Sequence, residues 1–215
     1  LDFLEGMESN VTWPVCDMET KVYDGATDGI LRLFQLYASL GFLGLWDKKA
    51  PNVDRCPGDL EDTSAPRVDA IVEVNTTESM YWATKHYLVA GESMNVEILS
   101  TDNPGWSFYQ LHVGMHTDSL GLKNAPWKRY PIIAAKIRIT DTNFVVHSPF
   151  GGLVVLKSLW PGQERYVRLK LSGVVKAAHY KLGDADSRNA WLQNRFNPAP
   201  WGELEGEKMT FYMKR

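Results

Sequence analysis

The sequence has little of several features that would define its class directly. Two cysteines in 215 residues are too few for a disulfide-rich scaffold. Acidic residues outnumber basic ones, 26 to 23, so the basic excess typical of nucleic-acid-binding domains is missing. The uncharged run Leu33–Trp46 is 14 residues long, whereas a helix needs about 20 apolar residues to cross a bilayer. We therefore expect no nucleic-acid partner and no membrane span.

A complete zinc-peptidase motif is also missing. His112 and His116 have the spacing of the two histidines in HExxH, but Val113 stands where the glutamate is required. The segment predicts a strand, in which the two imidazoles start roughly 13 Å apart and cannot share one ion. We expect no catalytic residue, no metal centre and no cofactor in this chain.

The cysteines and two glycosylation sequons favour a secreted protein. Cys16 and Cys56 could form a bridge that closes about 40 residues and contributes about 4 kcal/mol in the chain-entropy treatment; the alternative is two buried free thiols. Asn10 and Asn75 each begin an Asn-X-Thr triplet without proline. The chain begins with Leu1 and not with Met, so we expect a processed chain or a piece of a longer protein.

Hydrophobic periodicity predicts a mostly β protein. Helical spacing follows a capping residue at Asp28 and runs to Leu40, with Gly41 and Gly44 expected to break the helix. A Pro-, Asp- and Gly-rich connector follows, and short runs separated by turn residues then predict an antiparallel β-sandwich. The predicted strands are Val68–Val74, Tyr87–Val89, Met94–Leu99, Ser107–Val113, Ile132–Ile139, Phe144–His147, Leu153–Leu156, Tyr166–Leu171 and Lys208–Met213.

A short second helix is predicted over Asp186–Asn194, near the C-terminus. Asp184 begins a string that starts like a calcium loop, but Arg188 stands where an oxygen ligand is required, so we interpret the string as a helix N-cap. We divide the chain into an N-terminal helix-containing segment with its connector, residues 1–64, and a β-sandwich portion, residues 65–215.

Candidate ligand-binding residues come from the tryptophans and from one acidic string. Tryptophan faces can stack on sugar rings, although most single tryptophans lie in cores. Trp106 and Trp127 stand beside turn residues and are candidates for the surface. Trp201 and Glu203 are candidates in a string whose carboxylates alternate with other residues; the alternative is a solvated strand edge. The pair Gly151-Gly152 predicts a tight turn or a close backbone approach.

Several short strings, in this order, resemble the peptidase M60 (enhancin-like) family, which includes the TRPM8 channel-associated factors. The strings are Ala65–Val68 (APRV), Leu88–Glu92 (LVAGE), Arg129–Ile132 (RYPI), Ser148–Leu153 (SPFGGL) and Ala199–Leu204 (APWGEL). The resemblance covers about two thirds of the chain. It implies a β-sandwich portion that precedes a zinc-peptidase portion with HExxH and a downstream glutamate, in proteins that act on mucin-like glycoproteins.

Because HExxH is absent here, no zinc ligand or general base can be carried over from the family. We expect a non-catalytic secreted binding or structural subunit that recognises a glycan or glycoprotein. One alternative is a non-catalytic piece of a zinc metallopeptidase acting on mucin-like glycoproteins, whose HExxH half lies on another chain or was removed. Further expected partners are the remaining part of its own precursor or another subunit. The other alternative is a carrier that holds an apolar small molecule in a sandwich pocket.

Overall fold

The computed structural model describes residues 36, 39–45, 47–50, 53–75, 81–102, 108–116, 118–120, 129–159 and 166–215. Strands dominate this part of the chain, as predicted. They are β1 Val68–Asn75, β2 Tyr81–Leu88, β3 Glu92–Thr101, β4 Tyr109–Val113, β5 Ala135–Arg138, β6 Asn143–Ser148, β7 Gly152–Ser158, β8 Tyr166–Lys176, β9 Ala178–Lys181, β10 Trp201–Glu205 and β11 Thr210–Lys214.

Eight strands form one antiparallel, nearly closed sheet that folds over as a sandwich. Its order is β5-β4-β7-β2-β8-β3-β6, with β1 also paired to β8. The first part of β8 pairs with β1 and β3, while Val175 and Lys176 pair with β2. We call β1-β8-β3-β6 the four-stranded half and β5-β4-β7-β2-β8 the five-stranded half. Gly173, with φ +88°, lies where β8 changes partners.

The main core lies between these two halves, and alternation along the strands builds it. In β8, Val167, Leu169 and Leu171 are almost fully buried, while the alternating Arg168 and Lys170 lie on the outer face, as expected for strands with one wet face. Met94 and Leu156 meet them from β3 and β7 and are fully buried. The predicted β-sandwich class is therefore confirmed.

A second layer covers part of the outer face of the five-stranded half. Strands β11-β10-β9 form a small sheet in which β9 and β10 run parallel. A second apolar cluster lies under this small sheet, and it joins Tyr87, Leu153 and Val175 to Trp201 and Tyr212. The local sequence pattern does not predict β9 or β10.

Two side chains fasten the connector at 53–58 to this layer. The hydroxyl of Tyr87, which is fully buried, donates to the carbonyl of Gly58 at 2.9 Å. The indole N–H of Trp201 donates to the carbonyl of Pro57 at 3.0 Å. The connector is therefore held between the five-stranded half and the small sheet, beside the site described below.

The predicted helix near the C-terminus is confirmed and spans Ala185–Asn194. The Asp184 carboxylate caps it by accepting the Ser187 backbone N–H at 2.9 Å, as predicted. Trp191 packs edge-on against Tyr180 of β9, with ring centroids 5.6 Å apart, which anchors the helix to the small sheet.

Most of the predicted first helix, including Asp28, lies outside the described residues. Helical structure at Leu36 and at 39–42 shows that the helix runs through Gly41, so the break predicted there is wrong. The helix ends at Phe42. Gly44 follows with φ +69°, and Leu45 donates its N–H to the Leu40 carbonyl, an arrangement typical of a helix C-terminus. No helix within the described ranges is long and apolar enough to cross a membrane.

Candidate functional site

Several predicted site residues fall outside the described residues. These are Trp106, Trp127, Cys16 and Asn10. Cys56 is described and is 4% exposed, but its predicted bridge to Cys16 stays a prediction. Asn75 lies exposed at the end of β1, opposite Tyr166 of β8; its use as a glycosylation site also stays a prediction.

Trp201 is placed at a boundary between core and solvent. It begins β10, is half-buried, and uses its indole N–H in the bond to Pro57. The ring of His116 meets it edge-on, with centroids 5.6 Å apart. The polar edge of Trp201 is therefore engaged within the protein, and its contribution to any ligand contact comes from the ring.

A shallow pocket opens beside this pair of rings. Its enclosed part has room for about one water molecule, so it is an open surface depression, which we call the aromatic pocket. Its walls come from five separate segments, namely the connector, the end of β4, the loop before β5, the start of β7 and the start of β10. The lining residues are Pro57, Gly114, Met115, His116, Ile133, Gly152, Leu153 and Trp201.

Two glycines bring the walls of the aromatic pocket together. Gly152 has φ +145°, and a Cβ built on it would lie 2.3 Å from the amide nitrogen of Gly114. Gly114 itself has φ +93°. Only residues without a side chain allow the two backbones to approach this closely, which confirms the close approach predicted from the glycine pair at 151–152.

Apolar and aromatic groups dominate this pocket, and His116 supplies its only titratable side chain. Burial, and then the charge of Arg129, lower the pKa of His116 below its usual range. The imidazole is therefore neutral near pH 7 and can both donate and accept a hydrogen bond. A pocket of this kind suits a ligand with one apolar face and a few hydroxyl or amide groups.

Glu203 lies two residues from Trp201 on the same face of β10, but it is not part of the aromatic pocket lining. It is 3% exposed, and neither carboxylate oxygen has a hydrogen-bond partner. Its register partners are His179 on β9 and Tyr212 on β11. The structure thus corrects the expected solvated edge at this position, and Glu203 has no surface with which to contact a glycan.

Burial raises the pKa of Glu203 to about 8, and the neighbouring Lys85 offsets only part of this effect. Lys85 itself has φ +65° in a bulge of β2. Burial, with Glu203 beside it, raises the pKa of Tyr212 to about 12. Glu203 is therefore a protonated acid between the small sheet and β2 near neutral pH.

The neighbouring carboxylate, Glu205, is ionised and paired. Its two oxygens accept from His179 Nε2 and Lys181 Nζ, each at 3.0 Å. These two bonds compensate the charge of Glu205.

The two histidines of the incomplete zinc motif contact different residues. His112 lies on β4, is 3% exposed, and contacts Gln110 Oε1 through Nε2 at 2.7 Å. His116 lies beyond the strand, against Trp201. No group of three His, Cys, Asp or Glu side chains that could hold a metal ion occurs among the described residues.

Comparison with known proteins defines the class. Residues 63–171 match the model of the N-terminal domain of M60-like peptidases. The chain belongs to this family, and the resemblance found in the sequence is confirmed.

Particular relatives are longer than this chain. Human TRPM8 channel-associated factor 2 is 28% identical over 150 residues, which are 69% of this chain and 16% of that protein. The TRPM8 channel-associated factor homolog of Danio rerio is 32% identical over 108 residues, 48% of this chain and 11% of that protein. The chain therefore spans less than a fifth of the length of the curated relatives it matches.

Two solved structures share the fold. An IMPa metallopeptidase in complex with T-antigen superposes with a TM-score of 0.67 and 16% identity, over 100% of this chain and 24% of that chain. IMPa from Pseudomonas aeruginosa in complex with an O-glycopeptide gives a TM-score of 0.61 and 13% identity, over 99% and 24%. At this identity the likeness concerns the fold alone.

Proposed function

We propose that this chain is a non-catalytic, secreted part of an M60-like protein and that it binds a glycan or glycoprotein at the aromatic pocket. The observation that carries the proposal is the pocket itself, in which Trp201 and His116 form a half-buried aromatic wall. The C–H face of a sugar ring can pack on such a wall while its hydroxyls reach His116 and nearby backbone groups.

The relatives support the choice of ligand class. Two of the solved metallopeptidases that share the fold hold T-antigen or an O-glycopeptide. The same class of ligand is therefore the first to test on this chain. The sequons at Asn10 and Asn75 support a secreted location.

The test is a titration of the chain with an O-glycopeptide that carries T-antigen, against the same peptide without the sugar. We expect only the glycosylated form to bind. His116→Ala and Trp201→Phe should each weaken binding by roughly threefold to tenfold, the range for one aromatic contact. Trp191→Phe is the matched control, because Trp191 makes an equivalent edge-on ring contact with Tyr180 and does not line the pocket. Equal binding by all variants, or equal binding of both peptides, would refute the assignment of the pocket.

A second candidate is a non-catalytic piece of a zinc metallopeptidase whose HExxH half is supplied elsewhere. The exposed apolar side chains Met209, Phe211 and Met213, at and beside β11, favour it because they form a surface suited to protein contact. Phe211→Ser combined with Met213→Ser should abolish co-purification with an HExxH-bearing half. Retention of that half by the double variant would exclude this surface as the contact.

Zinc analysis of the isolated chain tests its non-catalytic role separately. We expect far less than one zinc per chain after purification without chelator, since His112 and His116 face different neighbours. A stoichiometric zinc would overturn the non-catalytic assignment.

A carrier of an apolar small molecule is not favoured. Large side chains at or near 0% exposure fill the space between the two halves of the sandwich, among them Leu88, Met94, Leu111, Leu156 and Leu169. A carrier would require a cavity at this place.

A further inference from the structure

A row of side chains crosses the outer face of the five-stranded half. Tyr81 of β2 lies opposite Lys157 of β7, Lys157 lies opposite Gln110 of β4, and Gln110 lies opposite Arg138 of β5. Directly opposite residues share a face of the sheet. Strands lie about 4.8 Å apart, so the row is about 14 Å long.

A third cation extends this row. Lys136 lies two residues before Arg138 on β5 and opposite His112, which places it on the same face. We call Tyr81, Lys157, Gln110, Arg138 and Lys136 the basic row. The side chains that alternate with them, such as Leu111 and Leu156, are fully buried in the main core, so the basic row is on the side away from that core.

Charge is distributed differently on the two outer faces of the sandwich. On the four-stranded half, Arg168 pairs with Glu73 at 2.9 Å and Lys170 pairs with Asp69 at 2.8 Å. On the basic row, Arg138 and Lys157 form no ion pair with any residue that the structure describes, and Lys157 Nζ lies 5.0 Å from the centre of the Tyr81 ring. Among the described residues, these two cations therefore have no carboxylate partner, on a chain whose net charge is −3.

His112, two residues after Gln110 on β4, orients the side-chain amide of Gln110. Its Nε2 lies 2.7 Å from Gln110 Oε1, and since a carbonyl oxygen only accepts, the ring donates this hydrogen bond. Burial, followed by the charges of Lys157 and Lys136, lowers the pKa of His112 to about 4, so the imidazole is neutral near pH 7. With its oxygen engaged, Gln110 can offer its amide N–H groups to a ligand.

We propose that the basic row binds a glycan that carries negative groups, the carboxylates or sulfates of acidic sugars. This inference rests on the proposed function, since it names the kind of glycan that the chain recognises. Arg138 offers a planar fork that matches a carboxylate or sulfate, and Lys157 offers a second positive charge. Gln110 donates to a ring substituent, and the Tyr81 ring holds Lys157 in place through the contact at 5.0 Å.

The test compares three probes on the full chain: the neutral T-antigen glycopeptide, its sialylated form, and a sulfated heparin-derived hexasaccharide. The variant is Arg138→Gln combined with Lys157→Gln. The matched control is Arg168→Gln combined with Lys170→Gln, which removes one arginine and one lysine from the other outer face. Both pairs lie on strands, and the change in net charge is the same.

We expect the acidic probes to bind more tightly than the neutral one. The Arg138/Lys157 variant should weaken acidic binding by about fivefold to twentyfold, the range for two exposed charge contacts, and leave neutral binding unchanged. The control should change acidic binding by less than about twofold. Raising salt from about 50 mM to about 300 mM should weaken only the acidic probes.

The outcomes separate this inference from the proposed function. If the neutral and acidic glycopeptides bind equally and the row variant changes nothing, the basic row is overturned while the aromatic pocket stands. If only the acidic probes bind, and binding depends on the row, the inference stands and the pocket assignment fails. If no probe binds, both fail. Equal binding of an unglycosylated acidic peptide at the row would overturn the choice of a glycan.

Discussion

Replacing Glu203 by glutamine tests the most unusual electrostatic feature of this structure. Glutamine has nearly the same shape as a protonated glutamate but cannot ionise. Because Glu203 is 3% exposed and Lys85 offsets only part of the effect of burial, the fold favours the protonated form of Glu203 over the ionised form. The stability of the Glu203→Gln chain should therefore differ from that of the parent chain mainly at pH values at which the unfolded parent chain has an ionised Glu203.

The magnitude follows from the two pKa values. The carboxyl has a pKa of 4.5 when unperturbed and about 8 in the folded chain, and each unit of pKa difference is worth about 1.4 kcal/mol. The contribution of protonated Glu203 to stability is complete below pH 4.5. It is lost between pH 4.5 and about 8, because the unfolded chain releases the proton first, and it is constant above that range. The free energy of unfolding of Glu203→Gln should therefore exceed that of the parent chain by up to about 5 kcal/mol at high pH, and by about 1 kcal/mol or less at low pH.

Urea denaturation followed by tryptophan fluorescence at about pH 5, 7 and 9 measures this difference. Glu207→Gln is the control, since Glu207 is exposed and lies four residues away; its effect should stay within about 0.5 kcal/mol at every pH. Histidines such as His112, whose pKa is lowered to about 4, reduce the stability of both proteins as the pH falls below 6.5, so their effect cancels in the comparison. A Glu203→Gln difference that is the same at both ends of the pH range would refute a buried, protonated Glu203.

Three further substitutions test other contacts by the same unfolding measurement. Gly152→Ala should destabilise the chain by about 3 kcal/mol or more, because the added Cβ would lie 2.3 Å from the Gly114 amide nitrogen. Gly183→Ala is the control, since Gly183 has φ +82° and open space around it, and it should cost only about 1 kcal/mol. Similar losses in the two variants would contradict the close approach of Gly152 to Gly114. Tyr87→Phe should cost about 1 to 3 kcal/mol, since it leaves a buried carbonyl without its donor, and a neutral result would argue against that bond. Asp184→Ala should speed amide exchange in the first turn of the C-terminal helix without changing exchange in β8; unchanged exchange in that turn would exclude the cap.

The sequence predicts the strands that have one face in solvent and the other in the main core. Met94 to Ile98 and Val167 to Leu171 alternate clearly, and both lie in strands of the sandwich. The helix Ala185–Asn194 was also predictable, because Asp184 gives a local capping signal. These signals depend only on residues close together in the sequence, so they can be recognised without knowing the rest of the fold.

The small sheet and the aromatic pocket leave weaker local signals. Strand β9 has only four residues, and β10 combines Gly202 with a buried glutamate. Packing against another layer therefore determines whether these two segments form strands. Period-two spacing shows that Trp201 and Glu203 share a face, but it does not tell which face a second layer covers. The pocket walls come from distant segments, and only the glycine pair at 151–152 indicated a close approach.

The sharing of β8 by both halves has a consequence for the order of events on the ribosome. Strand β1 is complete about 90 residues before β8 begins, and β2 and β3 also depend on β8 for a partner. These three strands leave the ribosome with backbone groups unpaired on the side that β8 will occupy, and such edges are prone to pair with other chains. Nascent chains truncated before residue 166 should therefore need chaperone protection. Once the chain through residue 176 has left the ribosome, β8 can pair with these strands, and the sandwich should no longer need that protection.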